Sequence, residues 1–286
     1  MRTGFIDSFL RVSNGHKFNT LGNLEEQFDI ECDKHLILKQ QTREGDTFQL
    51  MQSPAKDKLP EAVESFLLTV KILEESLKSL PENVDGAYYQ ALEKALENVP
   101  AVHQAYDRYI SAALVADGKN ITCKKGCSAC CRHFVTSVEP FEILALHLRI
   151  RKSEQYPDQL FACHSRVTKF DQLLKKEGED PEAEDRALYR YFLRGAACPF
   201  LKQDGECGVY ENRPMSCRMF FAESPPRFCS GKEVVSPWNK NFQVELPDVA
   251  EEALARCSAL LDNLELPVGL FSGVLDANAL FGKYES

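Results

Sequence analysis

The chain has 286 residues, 44% of them hydrophobic and 27% charged, which is the make-up of a globular protein of one large or two ordinary domains. Its net charge of −9 argues against a nucleic-acid binder working through a broad basic face. No stretch approaches the ~20 consecutive apolar residues of a membrane span, and the first apolar run, broken by Asp7, is too short for a secretory signal. The expectation is a cytoplasmic chain without membrane or nucleic-acid partners, in a compartment that keeps thiols reduced.

In chain order, "HLILKQQ" and "TFQLMQS" flank "TREGD" and read as a small N-terminal β-hairpin with Gly45 in its turn. From Pro60 the pattern becomes helical. Val63, Phe66, Leu67, Val70, Leu73, Leu77 and Leu80 recur at three- and four-residue steps between Pro60 and Pro81. "AYYQALEKALENV" and "AVHQAYDRYISAALVA" predict two more helices whose Tyr, Leu and Ile stripes are core faces. The turn cluster "DGKN", 117–120, marks a boundary between a region of unknown role (1–120) and a second region (121–286).

After that boundary come "EPFEILALHLRIRK" and "QLFACHSRVTKFDQLLKK" as amphipathic helices, an acidic loop "GEDPEAED", and "AEDRALYRYFLRG" as a third. "DVAEEALARCSALLDNL" and "GLFSGVLDANALFG" close the chain as helices. There is no βαβ alternation and no internal repeat. The predicted fold is mainly α, with helices bracketing two irregular cysteine-rich loops that form a metal site.

The cysteines carry the chemistry. Eight of the eleven cluster: Cys123, Cys127, Cys130 and Cys131, then Cys198, Cys207, Cys217 and Cys229. In a reducing compartment such grouping points to soft metals, because thiolates select zinc, iron–sulfur clusters or copper(I). Cys123-x3-Cys127-x2-Cys130 lets one turn of chain present several sulfurs to one centre, and Gly126 can take the positive φ that turn needs. Adjacent side chains diverge, so Cys130 and Cys131 do not easily share one ion; one can serve a second centre or stay free. The second group, spaced x8, x9 and x11, converges with the first across the 66 intervening residues. How the eight divide between sites stays open at this point.

Charge is distributed to suit. Residues 123–232 carry a net +3 and the remainder −12. Four thiolates about one zinc or one cubane leave a net charge near about −2, which a locally basic segment offsets. Arg213 and Arg218 are candidates to donate hydrogen bonds to sulfur, and Tyr210 and Phe220 to pack over the site and exclude water. His133 is a candidate ligand only if a site uses three cysteines and a histidine; packing is the simpler reading. Packing or surface roles are expected for His164, and Cys32 and Cys257 read as small buried hydrophobes.

With both groups in view, "CKKGCSACC", "ACPFL" (197–201), "CGVYENRPMSCRMF" (207–220) and Cys229 resemble the YkgJ-type cysteine-cluster family, associated with zinc or iron chelation. All eight cysteines, together with Pro199, Tyr210, Arg213, Pro214 and Arg218, fall on positions of that pattern. The resemblance spans about 110 residues and implies a metal site more firmly than a reaction. It is similar in cysteine pattern to the flagellin lysine N-methylases, which implies an iron–sulfur cluster and S-adenosylmethionine as cofactors of an alternative methylase activity. No Gly-rich strand–turn–helix element for a separate methyl donor is present. The x3/x2 triad also matches radical S-adenosylmethionine enzymes, but those set it in a barrel of alternating strands and helices, which this sequence lacks.

The expected function is a metal-binding protein, iron–sulfur (4Fe-4S) ahead of zinc, acting in electron transfer, redox sensing or modification of a protein partner. Long irregular spacings and vicinal cysteines are unlike the paired knuckles of zinc ribbons, and eight thiols exceed one structural zinc. A zinc-stabilised interaction module is the other reading. Metal-binding energy is expected to be folding energy for residues 121–232.

Overall fold

Helix formation follows the apolar spacing closely. The computed structural model describes residues 58–124, 126–231, 236 and 238–285; the hairpin expected around Gly45, and Cys32, lie outside the described residues. α1 (Lys58–Lys78) buries Phe66, Val70, Leu73 and Leu77, steps of three and four that make one stripe. Pro60 falls in its first turn, where a missing N–H costs nothing. α2 (Gly86–Leu96) starts at Asp85, whose Oδ1 accepts from the N–H groups of Ala87 (2.9 Å) and Tyr88 (3.2 Å). α3 (Val99–Ala116) opens with Pro100 and buries Val102, His103, Tyr106, Tyr109 and Ile110.

α4 (Pro140–Ile150), α5 (Tyr156–Glu177) and α6 (Ala183–Leu193) follow where the periodicity placed them. Two short elements then appear inside the second cysteine loop, which showed no periodicity: a single helical turn, α7 (Met215–Arg218), and a strand, β1 (Phe220–Ala222). β1 pairs antiparallel with β2 (Asn241–Gln243), with Phe220 opposite Gln243. α8 (Asp248–Ala259) and α9 (Leu270–Glu285) complete the described chain.

α1 packs on α3, α8 and α2; α5 packs on α6; α9 lies against α5 and α4. The approach of α9 to α4 is close enough that a Cβ at Gly273 would sit 2.5 Å from Ile143 Cδ1. Buried apolar side chains form one cluster running from Phe66 to Phe281, with members on both sides of residues 117–120. Phe134, Val138, Phe200, Met215 and Val244 belong to it, so the cysteine loops stand on the same core as the helices. Among the described residues, no helix is long and apolar enough to cross a membrane.

Candidate metal centre

The first cysteine group is a run of tight turns tied to β1. Thr122 donates from its N–H (2.8 Å) and its hydroxyl (3.0 Å) to the Ala222 carbonyl, and the same hydroxyl lies 2.6 Å from the Ser224 carbonyl. The Cys127 N–H donates to the Lys124 carbonyl (2.9 Å), closing a turn in which Gly126 has φ +82°. Cys131 N–H to Ser128 carbonyl (3.1 Å) closes the next. A side chain other than glycine would be strained at that φ.

The second group reaches the first directly. The Cys198 N–H donates to the Cys131 carbonyl at 2.9 Å. Between Cys198 and Cys207 the chain doubles back, with Lys202 N–H on the Glu206 carbonyl (2.9 Å) and Gly208 N–H on the Phe200 carbonyl (2.7 Å). At its tip Gly205, φ +82°, would place a Cβ 3.1 Å from the Gly126 carbonyl oxygen. The two loops therefore touch backbone to backbone. Cys217 rides on α7, and Cys229 ends a 3₁₀ turn with its sulfur 3.2 Å from Asn241 Oδ1.

All eight clustered cysteines are reduced and half-buried, while Cys163 and Cys257 are buried. Their mutual electrostatics sort them into two sets. Cys229 feels Cys123, Cys130 and Cys127, and Cys123 feels Cys127 and Cys130. Cys217 feels Cys198, Cys130 and Cys207, and Cys198 feels Cys207 and Cys130. Cys130 belongs to both sets, and its neighbour Cys131 hydrogen-bonds to it. The vicinal pair thus stands at the seam between two groups of thiols. Among the described residues no three His, Cys, Asp or Glu side chains converge closely enough to hold an ion as they stand. The thiols are neighbours, drawn within range of one another's charge rather than closed on a point.

Burial disfavours the thiolate at Cys123, Cys130, Cys198, Cys217 and Cys229. Desolvation pushes Cys198 up to about 11 and Cys229 up to about 12, and raises Cys123 and Cys217 in the same way. Cys130 is raised first by its hydrogen bond with Cys131 and then by burial. Thiols so placed lose their protons when a cation replaces them. Soft donors in two groups, with cationic side chains beside them, suit zinc or iron–sulfur ligation.

Arg213 is one of those cations. Its charge opposes the rise at Cys130 and Cys217, and its Nε is buried without a hydrogen-bond partner. Arg218, 2% exposed, is engaged elsewhere: Nε donates to the Arg213 carbonyl (2.6 Å), Nη2 to the carbonyls of Tyr210 (2.7 Å) and Glu211 (3.0 Å), and Nη1 to Asp107 Oδ2 (2.6 Å). It acts on the loop rather than on sulfur. Tyr210, expected to shield the site, is 57% exposed, with the guanidinium groups of Arg213 and Arg218 over its ring at 5.0 and 5.6 Å. In the 3₁₀ turn Tyr210–Asn212 the carbonyls of Tyr210 and Glu211 accept from Arg218. Phe220 lies parallel to His133 at 6.2 Å, and His133 stacks on Phe192 at 4.3 Å. Desolvation holds His133 down at about 4. His164 is exposed on α5.

Arg166 is a further cation beside the second cysteine group, not among the residues expected there. This buried residue on α5 donates Nη2 to the Ala196 carbonyl and Nη1 to that of His133 (3.4 Å), and its charge opposes the rise at Cys198. Arg132 likewise donates to the Gly195 carbonyl. A signal existed: Cys163, Arg166, Phe170 and Leu173 are the buried residues of α5, so a cation stands in its apolar stripe.

No curated protein and no solved structure matches the chain. Residues 122–241 match the family model CxxCxxCC, whose description reads "Putative zinc- or iron-chelating domain".

Proposed function

We propose that the chain holds iron in iron–sulfur centres of the 4Fe-4S kind, each taking four of the thiols of Cys123, Cys127, Cys130, Cys131, Cys198, Cys207, Cys217 and Cys229. It would use those centres in electron transfer, redox sensing or modification of a protein partner. The observation that carries this reading is the meeting of the two cysteine groups at the Cys131 carbonyl, with Cys130 electrostatically shared by both. A thiolate cluster brings negative charge into a half-buried place, and Arg213 and Arg166 supply the compensating cations. Iron is favoured over zinc by the irregular spacings and by the number of thiols.

Anaerobic purification tests the reading. A brown preparation with visible charge-transfer absorption and matching iron and sulfide is the expected result. A colourless protein holding two zinc ions would replace it with a zinc-stabilised interaction module. Titration with S-adenosylmethionine, followed by assay of methyl transfer to protein lysines, tests the methylase alternative; absence of binding ends it.

A further inference from the structure

α3 lies outside the stretch that matches the family, yet it sends two side chains into the second cysteine loop. His103 and Asp107 are four residues apart and share one helix face. Asp107 Oδ2 takes the Arg218 Nη1 donor at 2.6 Å, and His103 Nδ1 faces the Glu211 carbonyl at 3.3 Å. On its other side His103 Nε2 meets Glu142 Oε1 at 2.7 Å, and that oxygen also accepts the Met215 N–H at 2.8 Å. His103 and Glu142 are each 1% exposed.

Cys217 sits between the two anchored ends of this arrangement. α7 is one turn, Met215–Arg218. Its first N–H is held by Glu142, and its last side chain is a planar fork fixed on three carbonyls and one carboxylate. A cysteine between two such fixed points has little freedom in where its sulfur stands. The carbonyls that Arg218 grips all precede Cys217 in the chain, so the grip also sets how the loop from Cys207 approaches it.

We propose that Asp107 and His103, acting through Arg218 and Glu142, are positioning residues for Cys217, so that α3 sets the metal affinity of the centre to which Cys217 belongs. This rests on the metal-binding reading above. Neither residue touches sulfur. Their effect is on where one donor stands, and groups that orient a ligand in this way typically change affinity by about 10- to 100-fold when removed.

The test uses the full chain with cobalt(II) as probe, read by thiolate-to-cobalt absorption and by chelator competition. Asp107→Ala is expected to weaken cobalt binding by roughly tenfold at the Cys217 centre while leaving the other centre at wild-type affinity. Asp107→Asn, which keeps an acceptor for Arg218, is expected to restore most of that loss. Asp180→Ala removes the same charge from a similarly exposed carboxylate, one paired with the more solvated Arg186 away from the cysteine loops, and should change nothing. Should Asp107→Ala fail to fold, Asp107→Ser, too short to reach Nη1, gives the same readout. Equal affinities for Asp107→Ala and Asp180→Ala, or an equal loss at both centres, would overturn the inference and leave the metal reading standing. A wild-type chain that takes up neither cobalt nor zinc and carries no iron would remove both.

Discussion

Glu142→Ala is the substitution from which the structure demands most. The carboxylate is 1% exposed and takes the Met215 N–H (2.8 Å), the His103 Nε2 contact (2.7 Å) and the Glu139 N–H (3.3 Å). Truncation leaves a buried amide and a buried imidazole without their partner, and each such group costs roughly 1–3 kcal/mol. Breaking a buried charged or polar pair costs about 3–5 kcal/mol in all, so a loss of about 4 kcal/mol is expected. Glu142→Gln keeps one acceptor and should cost about half as much, roughly 2 kcal/mol. Urea unfolding of the full chain measures both. A double-mutant cycle with His103→Ala should give a coupling of about 1–3 kcal/mol. A loss under about 1 kcal/mol for Glu142→Ala would refute the reasoning, since that is less than one unpartnered buried group should cost. So would equal losses for Ala and Gln, or no coupling to His103.

Three further outcomes follow from the site. Cys127→Ala and Cys217→Ala should lower the metal-to-protein ratio, whereas Cys257→Ser, whose buried thiol lies on α8 near the Val70 carbonyl (3.7 Å), should keep it; metal analysis of the three variants decides. Gly205→Ala combines a φ of +82° with a Cβ 3.1 Å from the Gly126 oxygen, so it should cost about 1–2 kcal/mol in unfolding free energy and weaken metal uptake. Burial lifts Cys198 to about 11 and Cys229 to about 12, so metal binding should release protons and strengthen as pH rises; calorimetry in buffers of different ionisation enthalpy would show no proton release if the reasoning is wrong. For the metal-free chain the sign is opposite. Folded values raised above an unfolded thiol near about 8.5 contribute stability that is complete below that pH and is lost as pH climbs toward the folded values.

The helices were legible because their apolar residues repeat at a period that only a helix satisfies, and α1 shows it from Phe66 to Leu77. The eight thiols were legible for a different reason: a residue rare in reduced proteins was grouped twice. What did not show was how the loops are held. β1 and β2 are three residues each, too short for an alternation to register. Arg218 was noticed for its place beside Cys217, but its bonds run to carbonyls, which no sequence pattern advertises, and to Asp107, 111 residues away. Tyr210 was expected to pack over the site and exclude water, yet its ring is 57% exposed with two guanidinium groups over it, contacts that no sequence spacing displays.

Those sulfur-free bonds change where metal-binding energy is felt. Cys131 with Cys198, Thr122 with Ala222, Arg166 with His133 and Ala196, and Arg218 with three carbonyls hold both loops through backbone partners. Beneath them Phe134, Phe200 and Met215 are set in the common core. Losing one ligand should therefore loosen the chain near that ligand without opening the helices, because local opening draws on the few contacts a segment makes by itself. In Cys217→Ala, hydrogen exchange should accelerate across residues 207–219, while amides of α1 and α3 keep their protection. The drop in unfolding free energy should be smaller than for Glu142→Ala, although Cys217 is the proposed ligand and Glu142 is not. Loss of protection throughout α1 and α3 in Cys217→Ala would mean instead that metal energy holds the whole fold, as it does in domains that stay unfolded without their ion.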